Sequence, residues 1–189
     1  MPKKKKGGKK KVGSKKPKIT VDTKLPAIAA VTPKNGSLLH SVNTGDLKSL
    51  TRLVEHYDHN EALNTVDVNG STCIHAAVGR NDLRTLMTLI SYNSIDINAR
   101  EFRVVGGYAA IHHACIKGRL ALGVLDYLLQ SGADANIKAD STMGETPLHI
   151  CCKYGHMDNA KMLMNYGASG QVLDNFGNNP LFWAKNNGF

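Results

Sequence analysis

Along residues 35–189 apolar positions come in stripes of helical spacing that break off and restart. Leu83, Leu86, Leu89 and Ile90 lie three or four apart or adjacent, and Met157, Ala160, Leu163 and Met164 repeat the pattern. Such spacing places one apolar stripe on one helix face. Each stripe follows a shorter segment that pairs a large apolar residue, Ile111 or Leu148, with a small one, Ala77, Ala114 or Cys151. The large residue points into a core between helices, and the small one lets paired helices approach closely. The pattern predicts pairs of short helices. Thr72 and Thr146 stand where an N-cap hydroxyl is wanted. Pro147 suits a first turn, and Gly132 and Gly167 suit helix-terminating positions. No single pair buries its apolar face alone, so the pairs must stack.

The pairs are phased. Gly144-Glu145-Thr146-Pro147-Leu148-His149-Ile150-Cys151-Cys152-Lys153-Tyr154-Gly155-His156 is the fullest copy. Gly70-x-Thr72-Cys73-Ile74-His75-x-Ala77 and Gly107-x-Ala109-Ala110-Ile111-His112-x-Ala114-Cys115 are two more. Leu39-His40 begins a weaker one, and Gly177-x-Asn179-Pro180-Leu181-Phe182-Trp183-Ala184 a fifth. From His40 to His75, His112, His149 and Phe182 the steps are about 35, 37, 37 and 33 residues, close to the roughly 33-residue period of one repeat class. The copies resemble the ankyrin-repeat pattern G-x-T-P-L-H-x-A-A-x-x-G-H. Asp96-Ile97-Asn98-Ala99 and Asp134-Ala135-Asn136 are similar to the D-V-N-A turn of that family. The resemblance implies an all-α solenoid of stacked helix-turn-helix units with short β-hairpin fingers. The expected copies span about 35–66, 67–100, 101–139, 140–173 and a partial 174–189.

Charge divides the chain differently. Residues 1–24 carry eleven of the 24 Lys and Arg but only one of the 15 Asp and Glu, Asp22. The remainder, with thirteen basic and fourteen acidic side chains, is nearly neutral. The net charge of +9 therefore belongs to the tail. Residues 1–34 show no amphipathic period and are expected to be a disordered basic tail and linker, with Leu25 to Val31 its one apolar patch. Lys3, Lys4, Lys5, Lys6, Lys9, Lys10, Lys11, Lys15, Lys16 and Lys18 are the candidate polyanion contacts. They suit a nuclear localisation signal, or an acidic polymer such as nucleic acid or a glutamate-rich tubulin tail. No aromatic residue lies among them to stack on bases. The start is similar to the N-termini of ciliary and flagellar axoneme proteins. No apolar h-region follows the lysines and no run of 18 apolar residues occurs, so neither a signal peptide nor a membrane span is read. The chain reads as intracellular: cytoplasm, cilium or nucleus.

Candidate chemistry is thin. Eight histidines and four cysteines invite a metal reading. His112, His113 and Cys115, however, lack a closed tetrahedral partner set. His75, His112 and His149 recur in a slot where imidazole is expected to bridge backbone and Thr hydroxyls. Cys115 and Cys152 fall in one slot of successive copies, too far apart for a disulfide. No phosphate loop, nucleophile elbow or paired-carboxylate motif is present, so no enzyme, cofactor or small-molecule substrate is expected.

The family resemblance implies partner binding through fingers and the concave inner-helix face. Carried over position by position, the candidates are Val68, Asn69, Ser71 and Arg80; Tyr108 and Lys117; Met143, Glu145, Lys153 and Tyr154; and Asn175 and Phe176. Arg80, Lys117 and Lys153 would form a basic ladder beside aromatic anchors of the kind hot spots favour. Copy three has an enlarged finger, so Phe102, Val104 and Val105 either fold back on a neighbour or meet a partner. It also has two extra residues between Gly118 and Gly132, expected in its outer helix or following turn. Copy five runs through a first helix to Gly188-Phe189, leaving Leu181, Trp183 or Phe189 as apolar surface. The function expected is a non-catalytic adaptor or scaffold for another protein, with the tail as a second contact. A nuclear or nucleic-acid-associated regulator led by the tail, and a stoichiometric inhibitor, are the alternatives.

Overall fold

A computed structural model describes residues 38–56, 63–92, 94–102 and 106–189. The basic tail, with all ten candidate lysines, and Val104 and Val105 lie outside the described residues. Nine α-helices follow one another there: α1 Leu38–Thr44, α2 Leu47–His56, α3 Cys73–Gly79, α4 Leu83–Ile90, α5 Ala110–Lys117, α6 Leu122–Gln130, α7 Pro147–Tyr154, α8 Met157–Asn165 and α9 Pro180–Asn186. The inner row α1, α3, α5, α7 and α9 packs in that order, and α4, α6 and α8 form an outer row. One continuous apolar core runs between the rows. Leu50, Leu63, Ile74, Leu86, Ile111, Leu125 and Leu163 are fully enclosed in it. The fold is the all-α solenoid that the periodicity implies. Its fingers are tighter than hairpins: among the described residues they hold a single antiparallel bridge, Arg100 to Ala109, and no strand.

The histidine slot explains both the caps and the stacking. In α7 the Thr146 amide donates to His149 Nδ1 at 3.2 Å, and the Thr146 hydroxyl lies 2.7 Å from the same nitrogen. Thr72 and His75 do the same for α3. Ala109, lacking a hydroxyl, still donates its amide to His112 Nδ1 at 3.0 Å. Because Nδ1 accepts from an amide, the proton sits on Nε2. That nitrogen then donates forward to the next copy: His75 to Tyr108 O at 3.1 Å, His112 to Glu145 O at 3.2 Å and His149 to Asn178 O at 3.1 Å. The imidazoles thus bind the cap residue within a copy, Thr in two cases and Ala109 in the third, and backbone between copies. Burial pushes all three below the ordinary imidazole pKa, His112 to about 4.

Two further ladders stitch the copies. Asn64 Oδ1 accepts from the Asp96 amide, Asn98 Oδ1 from Asp134 and Asn136 Oδ1 from Ser169, at 2.8–3.0 Å. In the fingers the Phe102 amide donates to Asn69 O, Asp140 to Gly107 O and Asn175 to Met143 O, at 2.8–2.9 Å. Each inner helix is followed by one residue in the left-handed region. It is Gly45, Gly118, Gly155 or Gly188 in four copies, and Asn81 (φ 56°), the one described non-glycine with positive φ, in copy two. Asparagine tolerates that conformation better than other side chains.

The structure departs from expectation in several places. The two extra residues of copy three form a 3₁₀ turn, Gly118–Ala121, ahead of α6 rather than in or after it. Leu83, Met157 and Met164, read as core stripe, are exposed, because of those apolar stripes only Leu86, Leu89, Ala160 and Leu163 are buried. Cys115 is fully buried and faces Cys151 rather than Cys152, and all four cysteines are free thiols. Burial raises the Cys73 thiol to about 12 and also raises Cys115, so neither ionises near neutrality.

Candidate functional site: the inner-helix and finger face

The face along copies three to five is organised by a carboxylate that sequence reasoning offered as a partner contact. Glu145 follows the finger glycine Gly144, immediately before the α7 cap, and is 1 % exposed. Its Oε1 accepts from Lys153 Nζ at 2.9 Å and its Oε2 from the Tyr108 hydroxyl at 3.2 Å. One buried charge thus ties the finger to the last turn of α7 and to copy three. A buried carboxylate persists only with such partners. Burial first, and then the Glu145 charge, raise Tyr108 to about 12, so the phenol stays a donor. Lys153 is spanned by aromatic faces, 5.3 Å from the Trp183 ring centre and 5.9 Å from Tyr154. The Trp183 indole donates to Asp174 Oδ2 at 2.9 Å. Burial alone would raise Asp174, but hydrogen bonds from the Asn178 and Phe176 amides and the indole outweigh it, and the carboxyl sits below its usual range.

A second cluster joins copies two and three. Glu101 accepts from the Ser71 hydroxyl at 2.5 Å and meets His113 Nε2 at 2.8 Å. His113 stands edge-on to His75 and Tyr108. Here the carboxylate touches both serine and imidazole. In a Ser–His–carboxylate relay the imidazole is the middle member, so this cluster braces the finger and activates no hydroxyl.

The candidates therefore separate. Val68, Asn69, Arg80, Tyr154, Asn175 and Phe176 are exposed, and Tyr108, Lys117, Met143 and Lys153 are partly so. Glu145 is instead internal bracing and Ser71 is held by Glu101. Phe102 folds back: its ring lies over Gly70 in the neighbouring finger. The basic ladder is interrupted, since Arg80 donates to Asn43 O at 2.8 Å while Lys153 is paired with Glu145. Asn175 reaches back to brace finger four through Ser141 O and Thr142 O. His113 and Trp183 were missed as face residues. Both occupy the variable slot after His112 and Phe182, which is the signal that pointed to them. Trp183 turns toward this face, so only Leu181 and Phe189 of the three expected apolar end residues are exposed, joined by Phe182.

Stacked helix pairs with linked fingers define a repeat module that presents a surface. Among the described residues no three His, Cys, Asp or Glu side chains gather as a metal site, and no helix is long and apolar enough to cross a membrane. The profile of the family described as ankyrin repeats (3 copies) matches residues 38–139 and 122–189, and the chain belongs to that family. It is 35 % identical over 111 residues to target of rapamycin complex 2 subunit AVO2 of Saccharomyces cerevisiae, covering 59 % of this chain and 24 % of the relative. It is 33 % identical over 147 residues to the nuclear factor NF-kappa-B p105 subunit of Gallus gallus, covering 77 % and 14 %. It is 28 % identical over 136 residues to palmitoyltransferase AKR1 of Lachancea kluyveri, covering 70 % and 18 %. The chain thus spans no more than a quarter of each of these relatives. Ankyrin repeats make it a protein-interaction module.

Proposed function

We propose that the chain is a non-catalytic adaptor that grips one protein partner along its fingers and inner-helix face. The observation that carries this is the exposure of Val68, Tyr154 and Phe176 (65 % exposed) on two fingers and an inner helix, beside a network braced by Glu145 and Asp174. Rigid aromatic anchors on a fixed backbone lose little entropy on binding. The yeast relative is by name a subunit of a multiprotein complex, which supports a scaffold role. The lysines of residues 1–24 add a second contact to an acidic polymer, and residues 35–189 form the folded unit. Two modest contacts on one chain multiply through effective concentration.

The test is affinity capture from cells with the whole chain, compared with Tyr154→Ala plus Phe176→Ala and with Lys161→Glu on the outer row. The reading requires that the first variant lose the captured partner while the second retains it; the reverse result overturns it. Lys153→Glu is a poor probe, since it would set two carboxylates together beside Tyr108. Raising salt separates the contacts: tail binding collapses steeply, whereas face binding falls mildly.

A further inference from the structure

The inner-helix face is sorted by the sign of its charge. None of the inner helices carries an aspartate or glutamate, whereas α6 and α8 of the outer row hold Asp126 and Asp158. The finger carboxylates near this face are spent on the chain's own donors. Asp67 accepts from the Asn69 and Ser71 amides, and Asp174 from the Phe176 and Asn178 amides. Glu101 is held by Ser71 and His113, and Glu145 by Tyr108 and Lys153. Asp140 is left as the one exposed carboxylate of the described fingers. The charge that the inner helices themselves present is cationic.

One slot along the inner row shows where donors are unspent. It is the residue just before the left-handed position that follows each inner helix: Arg80, Lys117, Tyr154 and Asn187 in copies two to five. Arg80 and Asn187 each donate at 2.8 Å to a carbonyl of the preceding copy, Asn43 O and Lys153 O. Lys117 and Tyr154, the two between them, make no such bond. Among the described residues the Lys117 ammonium has neither a hydrogen bond nor a carboxylate partner, and the Tyr154 hydroxyl has no hydrogen bond. The Tyr154 ring, by contrast, is placed, stacked on His156 and beside Lys153. Helices α5 and α7 pack side by side, so the two free donors stand one copy apart.

We propose that the partner gripped by this face is an acidic protein segment, which sets a carboxylate between the Lys117 ammonium and the Tyr154 hydroxyl. The inference rests on the reading of this face as the gripping surface and names the chemistry it grips. Both groups donate and neither has an acceptor, so a carboxylate satisfies both without displacing a bond that the stack uses. Spacing favours protein over nucleic acid. Packed helices stand about 8–10 Å apart, and a polyproline II chain returns the same side every third residue, about 9 Å further on. A nucleic-acid strand brings a phosphate every ~3.4 Å of its axis, more than one cation per copy can neutralise. The lysine-rich residues 1–24 share the sign of this face and are repelled by it.

The probe is octaglutamate, titrated into the full chain beside octalysine and a thymidine octanucleotide. Binding is read from the Lys117 and Tyr154 amide resonances and from the fluorescence of Trp183, the single tryptophan, 5.3 Å from Lys153. These signals report the face and not the tail. Octaglutamate should shift them saturably and octalysine should not. Lys117→Glu should weaken that response at least tenfold, and Tyr154→Phe, which keeps the ring and loses the hydroxyl, several-fold. Lys161→Glu on the outer row should leave it unchanged. The proposal falls if octaglutamate leaves these resonances in place, if Lys117→Glu and Tyr154→Phe respond as wild type does, or if the octanucleotide shifts them at lower concentration. Capture from cells separates this failure from that of the adaptor reading. A partner lost with Tyr154→Ala plus Phe176→Ala but kept with Lys117→Glu leaves the face as the grip and overturns only its acidic chemistry. A partner kept with both overturns the two together.

Discussion

Copies four and five put equivalent side chains into opposite circumstances. Leu148 of α7 is 3 % exposed, whereas Leu181, in the same slot of α9, is 56 % exposed. His149 spends both ring nitrogens on hydrogen bonds, one within its copy and one to the next. Phe182 spends none, and its ring stands exposed. The helices themselves are alike: each has Pro in its first turn, a capped N-terminus and a left-handed residue after it. Local sequence is therefore enough to make the helix. What each motif residue contributes to stability depends on whether another copy lies beyond it.

The largest contrast should come from the large apolar slot. Ile111→Ala or Leu148→Ala removes a packed side chain and leaves a cavity, costing about 2–5 kcal/mol. Leu181→Ala removes one that is half solvated and should cost well under about 1 kcal/mol by the area it still hides. Urea titrations of the three variants would break the comparison if Leu181→Ala proved equally costly, since that would mean something already covers α9.

Acid should act on the interior seam next. His112 has a folded pKa of about 4 against 6.5 for the free side chain. The unfolded chain therefore takes up the proton first. The stabilisation is complete above about pH 6.5, declines as pH falls toward 4, and amounts to ~3 kcal/mol for this side chain. His75 and His149 shift in the same direction. Stability measured at pH 7, 5.5 and 4 should fall steeply, and His112→Gln should flatten part of that slope. An unchanged slope would remove His112 from the account.

At pH 7, His112→Ala takes their partner from the Ala109 amide and the Ile137 carbonyl and should cost about 1–3 kcal/mol. The matched change Phe182→Ala should cost a few tenths, in line with other exposed sites. The smallest effect expected is Phe189→Ala, which uncovers Gly155 at the rim. A melting-point drop for Phe189→Ala approaching that for His112→Ala would show that copy five is as tightly coupled as copy three.

Much of this was legible in the chain. The histidine phasing, the threonine caps and the small-residue slots follow from residues that act within one copy or at a constant offset to the next, so a period in sequence becomes a period in space. Asn98 and Asn136 of the asparagine ladder stood in turns read from the sequence, but only as turn formers, and Asn64 was not singled out. An amide side chain's reach to the next copy cannot be seen without its partner. Glu145 looked like a surface residue of the finger for the same reason. Its burial depends on Tyr108, 37 residues earlier, and on Lys153 from the far end of α7.

Sequence alone determined that the chain would build short helix pairs, that the pairs would stack, and that positive charge is concentrated in residues 1–24. Periodicity and composition are additive along the chain, and these outcomes are sums over it. The tertiary structure decided which finger residues brace and which are presented, and that Trp183 turns to the inner face while Phe189 closes over Gly155. Each of those depends on which surfaces meet, and contact is a property of pairs distant in sequence.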